Sequence, residues 1–321
     1  MFQRLKATAV LAAAQRIAPH IRRTPLVRSD GLSRIAGGEV YLKLENEQTT
    51  GSFKLRGALN ALGTLSEEQR RRGVVASSAG NHGMGVAFAA KTLGMHAKIY
   101  VPRTAPEVKK SGIKALGAEM DDSQPHYDAA HAAAVADEKQ TGRTFINPCL
   151  GDPLLAGQGT VALEILGDLP DLRALMVNVG GGGLLAGCAS LVRKVAPDVR
   201  IYGAQSENTD AMARSLAAKR IVEIEDKATL ADGLAGQIDA DAFDIGLRAL
   251  DEIAIVSEDE LAQAIAWLHR EHKAKVEGAG ACGVAAILFR RVKVQTPCAV
   301  VVSGGNIDPA RWEQILSERA P

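Results

Sequence analysis

Residues 174–187 read Ala-Leu-Met-Val-Asn-Val-Gly-Gly-Gly-Gly-Leu-Leu-Ala-Gly. The run Ala174–Val179 is short, apolar and rich in β-strand formers, and it feeds four successive glycines, Gly180–Gly183, before an apolar stretch that begins at Leu184. A strand delivered through glycine to a helix start is the repeating unit of a parallel sheet covered by helices. Four glycines in a row cost about 0.5–1 kcal/mol each relative to alanine in a regular element. The turn therefore implies a need for bare backbone, and amides at a helix N-terminus are suited to holding a phosphate.

Working outward, the same alternation recurs. Strand candidates are 40–45, 74–77, 97–101, 144–147, 174–179, 200–205 and 297–303, each ending beside glycine, proline or a polar residue. Helical patterns fill the intervals 81–93, 106–116, 127–139, 184–195, 258–272 and 279–291. The class is α/β. No proline- or serine-rich linker, fixed-period repeat or low-complexity tract divides the 321 residues, so any two domains must be interwoven. The charge run Glu67, Glu68, Arg70, Arg71, Arg72 before Gly73 is expected to be a solvated helix with its cations at the C-terminal end.

Composition narrows the partners. Hydrophobic residues make up 46% and charged residues 23% of the chain, near the average for globular proteins. Lys and Arg number 38 against 37 Asp and Glu, so no overall field favours nucleic acid or an acidic membrane. A small molecule is the expected partner. Cys149, Cys188, Cys282 and Cys298 form no C-x-x-C pair and signal neither zinc nor a disulfide framework, which fits a reducing cytoplasm. The opening stretch, 1–21, carries Lys6, Arg16 and His20 and reads as a surface helix, not a signal peptide. Other apolar runs fall well short of the ~20 residues that span a bilayer.

Three further stretches carry chemistry. In Gly51-Ser52-Phe53-Lys54-Leu55-Arg56-Gly57-Ala58 a lysine sits between an aromatic residue and a helix start. Partial desolvation there favours the neutral amine, the form needed by a nucleophile or base. Ser77-Ser78-Ala79-Gly80-Asn81-His82-Gly83 follows one strand and Ser303-Gly304-Gly305-Asn306 follows the last. Amides of Ser78, Ala79, Gly80, Asn81 and His82 would make a second anion site, suited to a carboxylate, and the Asn81 side chain could bond a hydroxyl or simply cap its helix. Gly181, Gly183 and Ala186 also satisfy G-x-G-x-x-A, which opens a dinucleotide-binding oxidoreductase as a reading from another class. Such a site wants an acid at the end of the next strand, about twenty residues on, and Gln205 stands there instead.

Taken together, Gly51–Ala58, Ser77–Gly83, Gly180–Gly187, Val276-Glu277-Gly278-Ala279-Gly280-Ala281 and Ser303–Asn306 resemble the fold-type II pyridoxal-phosphate family, most closely the threonine/serine dehydratases and the related serine racemases. The resemblance runs from Thr24 to about Asp308. It implies two interwoven domains of mainly parallel sheet, as in the tryptophan synthase β fold: a large cofactor-binding domain of residues 1–72 plus 146–321 and a small, mobile, substrate-binding domain of residues 73–145. It also implies that Lys54 holds pyridoxal 5'-phosphate as a Schiff base, that Phe53 packs against the ring, and that Asn81 bonds the ring hydroxyl. Gly180, Gly181, Gly182 and Gly183 would take the phosphate, Ser303 would face the pyridine nitrogen, and Glu277 would lie close to the cofactor. Ser78, Asn81 and His82 would help hold the substrate carboxylate. A hydroxyl facing the ring nitrogen does not keep it protonated, which favours elimination over transamination. The implied reaction is dehydration and deamination of a small β-hydroxy amino acid, threonine to 2-oxobutanoate or serine to pyruvate, each with ammonia.

Departures from the family pattern set further expectations. Racemases of the family carry a serine where this chain has Ala79, so racemisation should be minor. Metal-dependent relatives place carboxylates after the strand 200–205, where Gln205 and Ala211 now stand; Glu207 and Asp210 lie nearby, and no metal is expected. Hydroxyaspartate dehydration is the alternative within the class; its second carboxylate would need a cation, and His126 beside Tyr127 is one candidate. The chain stops soon after Glu318, so the regulatory domain of biosynthetic threonine dehydratases is not expected. The family suggests a homodimer or homotetramer.

Overall fold

The computed structural model describes residues 5–105 and 107–319. From the N-terminus the elements are α1 (Ala7–Ile17), β1 (Leu26–Arg28), α2 (Asp30–Ala36), β2 (Val40–Leu44), α3 (Lys54–Gly63) and α4 (Glu67–Arg72). Next come β3 (Val74–Ser77), α5 (Asn81–Thr92), β4 (Ala97–Tyr100), α6 (Glu107–Ala115), β5 (Glu119–Asp121), α7 (Tyr127–Thr141) and β6 (Thr144–Phe145). The chain continues through α8 (Asp152–Asp168), β7 (Ala174–Asn178), α9 (Gly183–Val195), β8 (Arg200–Ser206), α10 (Ala211–Ala218) and α11 (Ala240–Ala249). It ends with β9 (Glu252–Val256), α12 (Glu258–His272), α13 (Gly278–Leu288), β10 (Cys298–Val302) and α14 (Pro309–Glu318).

Two sheets result. The larger has the order β1-β2-β10-β7-β8-β9 and is parallel except for β1, which runs antiparallel to β2. The smaller, β5-β4-β3-β6, is parallel throughout. The chain leaves the large sheet after β2, builds the small one, and returns at β7; β10 then inserts between β2 and β7. This insertion interleaves the sheets without any linker, and it brings the residues after β10 beside those after β2.

Period-two alternation explains the layers. Leu175 and Val177 of β7 join a cluster with α1, α3, α8 and α9, whereas Ala174 and Met176 face the opposite cluster with α12 and α13. Both faces of β7 are thus buried, which is why its sequence is apolar from Ala174 to Val177 before the buried Asn178. The first cluster also contains Val74, Ala76 and Ile99 and so runs from the large sheet into the small one. The outer face of the small sheet, with Val75 and Tyr100, is covered by Ala130 and Ala134 of α7.

The sequence reading named no element in the span occupied by α8, the longest described helix. The reason is physical: α8 buries Leu154, Leu155, Val161 and Ile165 on several sides and shows no polar stripe. It also contains Gly157, where a Cβ would lie 2.4 Å from the Arg56 carbonyl oxygen, so α3 and α8 meet backbone to backbone. The opening helix is more than a surface element, since Val10, Ala13 and Ile17 of α1 are fully buried; residues 1–4 of that stretch lie outside the described residues, as does Pro106 of the expected helix 106–116. The charged segment is α4, exposed as expected and closed by a capping box between Ser66 and Gln69. Among the described residues, no helix is long and apolar enough to cross a membrane.

Candidate active site

The loop between β2 and α3 delivers Lys54. It turns at Gly51, whose φ of +73° favours glycine, and lies against the segment that follows β10: Phe53 N–H donates to the Ser303 carbonyl at 3.1 Å and Gly305 N–H to the Gly51 carbonyl at 2.9 Å. Ser52 and Gly304 form an isolated β-bridge. Lys54 begins α3 half-buried, its Nζ 5.3 Å from the Phe53 ring centroid and donating to the Pro148 carbonyl at 2.7 Å.

The next residue, Cys149, packs against the tetraglycine turn. A Cβ on Gly181 would lie 2.6 Å from Cys149 Sγ, and one on Gly183 would lie 3.1 Å from Cys149 Cα. On the other side, a Cβ on Gly180 would meet Leu234 Cα at 3.0 Å, and Gly182 has φ +80°. Every glycine of the turn therefore has a steric or conformational reason. The first helical bond of α9 runs from Ala186 N–H to the Gly182 carbonyl and no side chain caps the helix, so the preceding amides have no acceptor within it. Such an end attracts an anion.

A second uncapped helix start belongs to α5. Its first helical bond joins Met84 N–H to the Gly80 carbonyl, and Gly80 N–H donates to Ser78 Oγ at 3.1 Å. The Ser78 amide is already spent on the Tyr100 carbonyl, at 3.0 Å. Ala79 is half-buried beside it. His82 turns inward: its Nε2 stands 2.8 Å from the Ile146 carbonyl, its Nδ1 has no partner, and burial together with the Lys54 charge pulls it down to about 3. It is a neutral ring donating from Nε2, and what it can offer an anion is its backbone amide.

Asn81, Asn306 and Glu277 form a chain of amide contacts. Asn306 Nδ2 donates to Asn81 Oδ1 at 2.7 Å, and Asn81 Nδ2 donates to Glu277 Oε1 at 2.7 Å. Glu277 is buried at the start of α13, and Ser303 lies beyond the end of β10, also buried. Asn81 follows β3, and Ser303 and Asn306 follow β10, each at the carboxyl end of a parallel strand, where loops line a crevice, and Glu277 joins them from the start of α13.

Behind Lys54 lies a group that sequence reasoning did not single out. Arg56 is fully buried and makes a two-pronged contact with Glu45, both N···O distances 2.8 Å, and another with Glu164 at 2.8 and 2.9 Å; Lys43 also reaches Glu164, at 2.6 Å. Glu45 and Arg56 flank the loop that carries Lys54, so their pairing fastens its two ends together. Arg56 stands inside the Gly51–Ala58 motif, but no local signal distinguishes a buried arginine from a solvated one. Cys149 gave no signal either.

Two other expectations meet their surroundings here. Gln205 is buried, with Nε2 donating to the carbonyls of Val179 and Thr209 and Oε1 accepting from Ala213 N–H, while Glu207 accepts from Glu258 N–H and Asp210 pairs with Arg214. Among the described residues no His, Cys, Asp and Glu side chains group in a way that could hold a metal ion. His126 is exposed and caps α7 by accepting from Ala129 N–H through Nδ1, which commits that nitrogen's lone pair.

The site fits pyridoxal phosphate on its own terms: an amine against Pro148 and an anion cradle against the next residue, Cys149. A family model described as pyridoxal-phosphate dependent enzyme matches residues 17–304. An L-threonine ammonia-lyase of Thermotoga maritima is 44% identical over 299 residues, covering 93% of this chain and 75% of its own. The structure of maize serine racemase superposes with a TM-score of 0.92 at 32% identity, covering 98% of this chain and 97% of its own. The processed form of threonine deaminase isoform 2 from Solanum lycopersicum gives 0.90 at 31% identity, with coverage of 98% and 87%. The mainly parallel, helix-covered fold, the amine beside the glycine cradle and the match along most of the sequence lead to one conclusion: this chain belongs to the pyridoxal-phosphate dependent enzymes of fold type II.

Proposed function

We propose that this enzyme is an ammonia-lyase that dehydrates and deaminates a small β-hydroxy amino acid, converting L-threonine to 2-oxobutanoate and L-serine to pyruvate, with release of ammonia. The observation that carries the reading is that the Lys54 amine and the tetraglycine turn meet two adjacent residues, Pro148 and Cys149, and so stand close to one another. The Thermotoga maritima relative named for this activity supports it.

In this reading Lys54 would hold the cofactor through its amine, and the same amine, when free, would serve as the base for the Cα proton. The bound cofactor supplies an electron sink for the breaking Cα–H bond. Gly180–Gly183 hold its phosphate through backbone amides and the N-terminal end of α9. Phe53 packs beside the ring. Asn81, braced between Asn306 and Glu277, would hold the ring hydroxyl, and Ser303 would hold the ring nitrogen. The amides at the start of α5 that have no acceptor among the described residues, those of Ala79, Asn81 and His82, would receive the substrate carboxylate, while the Gly80 amide is held by Ser78 Oγ. His82, kept neutral by burial, adds no competing charge. The substrate-binding part is the unit of residues 73–145, which contains the whole small sheet; its movement against the rest would admit substrate and exclude water. The working form is a homodimer or homotetramer in the cytoplasm, and no metal takes part.

Ala79 argues against the racemase reading raised by the likeness to maize serine racemase, because a methyl group carries no proton to the opposite face of Cα. The hydroxyaspartate reading needs a partner for a second carboxylate, and His126, the candidate for it, is exposed and caps α7 through Nδ1. The test is a coupled keto-acid assay over L-threonine, L-serine, their D-forms and the hydroxyaspartate isomers, joined to mass spectrometry of borohydride-treated enzyme. Keto acid from the L-forms and a reduced adduct on Lys54, absent in Lys54→Ala, are expected. An adduct elsewhere overturns the assignment of Lys54, turnover of hydroxyaspartate alone overturns the substrate, and interconversion of L- and D-serine at the elimination rate overturns the argument from Ala79.

A further inference from the structure

Asn178 ends β7 just ahead of the tetraglycine turn, is 4% exposed, and belongs to none of the motifs that define the site. Its side chain bridges three segments. Oδ1 accepts from Gly283 N–H in α13 at 2.8 Å, and Nδ2 points at the Gly280 carbonyl at 3.2 Å, the Val301 carbonyl at 3.1 Å and Ser303 Oγ at 3.2 Å. An amide can in principle be turned end for end, but here the partners forbid it: a backbone N–H only donates and a carbonyl only accepts. The face turned to Ser303 is therefore the NH2 group, which has no lone pair to accept a hydrogen from the serine.

Ser303 is likewise 4% exposed. Its hydroxyl has one hydrogen and two lone pairs. Asn178 Nδ2 has two hydrogens to share among three acceptors and no lone pair to offer, so it cannot take the serine hydrogen, which is left with two destinations. One is the Ala279 carbonyl, whose 3.3 Å distance is long for an O–H···O bond. The other is an acceptor within the site.

We propose that Asn178 is a positioning residue that fixes the direction of the Ser303 hydroxyl, turning its hydrogen away from the amide and into the site. The inference rests on the reading that Ser303 faces the ring nitrogen. Its chemical consequence is a moderated electron sink: loss of the β-hydroxyl, which needs little delocalisation, proceeds, while protonation chemistry leading to transamination is suppressed.

The test uses holoenzyme carrying pyridoxal phosphate labelled with 15N at the ring. The nitrogen chemical shift and the cofactor dissociation constant are measured for the parent, Asn178→Leu, Asn178→Ala, Ser303→Ala and the Asn178→Leu/Ser303→Ala double variant, with melting temperatures recorded alongside. The parent should show a hydrogen-bonded, unprotonated nitrogen whose shift is constant across neutral pH. Both Asn178 variants should move it, and loss of one oriented hydrogen bond should loosen the cofactor by about 2- to 10-fold. In the Ser303→Ala background the Asn178→Leu change should add nothing to either readout, because its effect travels through Ser303. Additive effects, or Asn178 variants that melt lower with the nitrogen signal unmoved while Ser303→Ala moves it, would show a merely structural amide and overturn the proposal. A Ser303→Ala variant with an unmoved nitrogen would instead remove the reading of Ser303 on which the proposal stands.

Discussion

Replacing Arg56 by methionine should destabilise this protein heavily, and in a manner that depends on pH. Lys43, Glu45, Arg56 and Glu164 sum to zero formal charge, with Lys43, Glu45 and Arg56 wholly buried. Burial disfavours the Arg56 guanidinium, but the charge and hydrogen bonds of Glu45 and Glu164 reverse this and raise it. Arg56→Met keeps the volume, removes four charge-assisted contacts and leaves one uncompensated negative charge in the core. Stripping one partner from a buried pair costs about 3–5 kcal/mol. Burial also pushes the Glu164 carboxyl upward, and bonds from Arg56, the Arg56 charge and Lys43 more than offset it, so in the parent it sits below its ordinary value. Such a group contributes stability above the unfolded carboxyl pKa of about 4.3, and that stability fades as pH falls through the lower folded value. In the variant the offsetting groups shrink to Lys43, the carboxyl rises, and protonation relieves the buried charge. The gap between parent and variant should thus be widest near pH 7.5 and narrow toward pH 5. Urea unfolding followed by circular dichroism at both values measures it, and Arg56→Met combined with Glu45→Gln, which restores neutrality, should regain more than half of the loss. A loss under ~1 kcal/mol at pH 7.5, an equal gap at both pH values, or a double variant weaker than the single one would refute the electrostatic account.

Other outcomes follow from single contacts. His82, lowered by burial to about 3, binds its proton less readily folded than unfolded, so the stability it contributes is complete above about pH 6.5 and is lost as pH falls toward 3. His82→Gln should flatten the acid side of the stability curve by up to about 1.4 kcal/mol per pH unit in that window, and a curve parallel to the parent's would contradict this. Gly181→Ala sets a methyl carbon 2.6 Å from Cys149 Sγ, an overpacking expected to cost about 1–3 kcal/mol and to weaken cofactor binding. Adding Cys149→Ala should restore part of both, whereas absence of any recovery in a binding titration would show that the clash is not the cause. Ser257→Ala removes the capping box at the start of α12 and should lower stability by about 1 kcal/mol in a thermal melt, leaving the cofactor spectrum as in the parent.

Local chemistry in the sequence was enough to read the α/β class, the tetraglycine turn after β7, the lysine at the start of α3 and the small-residue loops after β3 and β10. Each is a short-range pattern: β-branched residues that favour strands, glycines that permit close approach, hydroxyl and amide residues at helix starts. The helix α8 escaped because a segment buried on several sides has no amphipathic stripe, and its glycines weaken the helical signal while serving a backbone-to-backbone crossing. The cap made by His126 was hidden for a different reason, since a cap and a contact to a second carboxylate use the same residue type at the same place, and only the position of Ala129 N–H reveals the cap.

What the amino-acid order determined by itself, then, is the series of strand-to-helix turns and the residue types set at their tips. Tertiary structure alone decided which distant groups share a hydrogen. Lys43 and Glu164 are 121 positions apart, and Asn178 and Ser303 are 125 apart, yet both pairs lie within bonding distance. The pairing of β10 with β7 closes the second of those separations. Charge and hydrogen-bond partnership act over a few ångströms of space and carry no trace along the chain, whereas strand propensity and glycine freedom are properties of neighbouring residues.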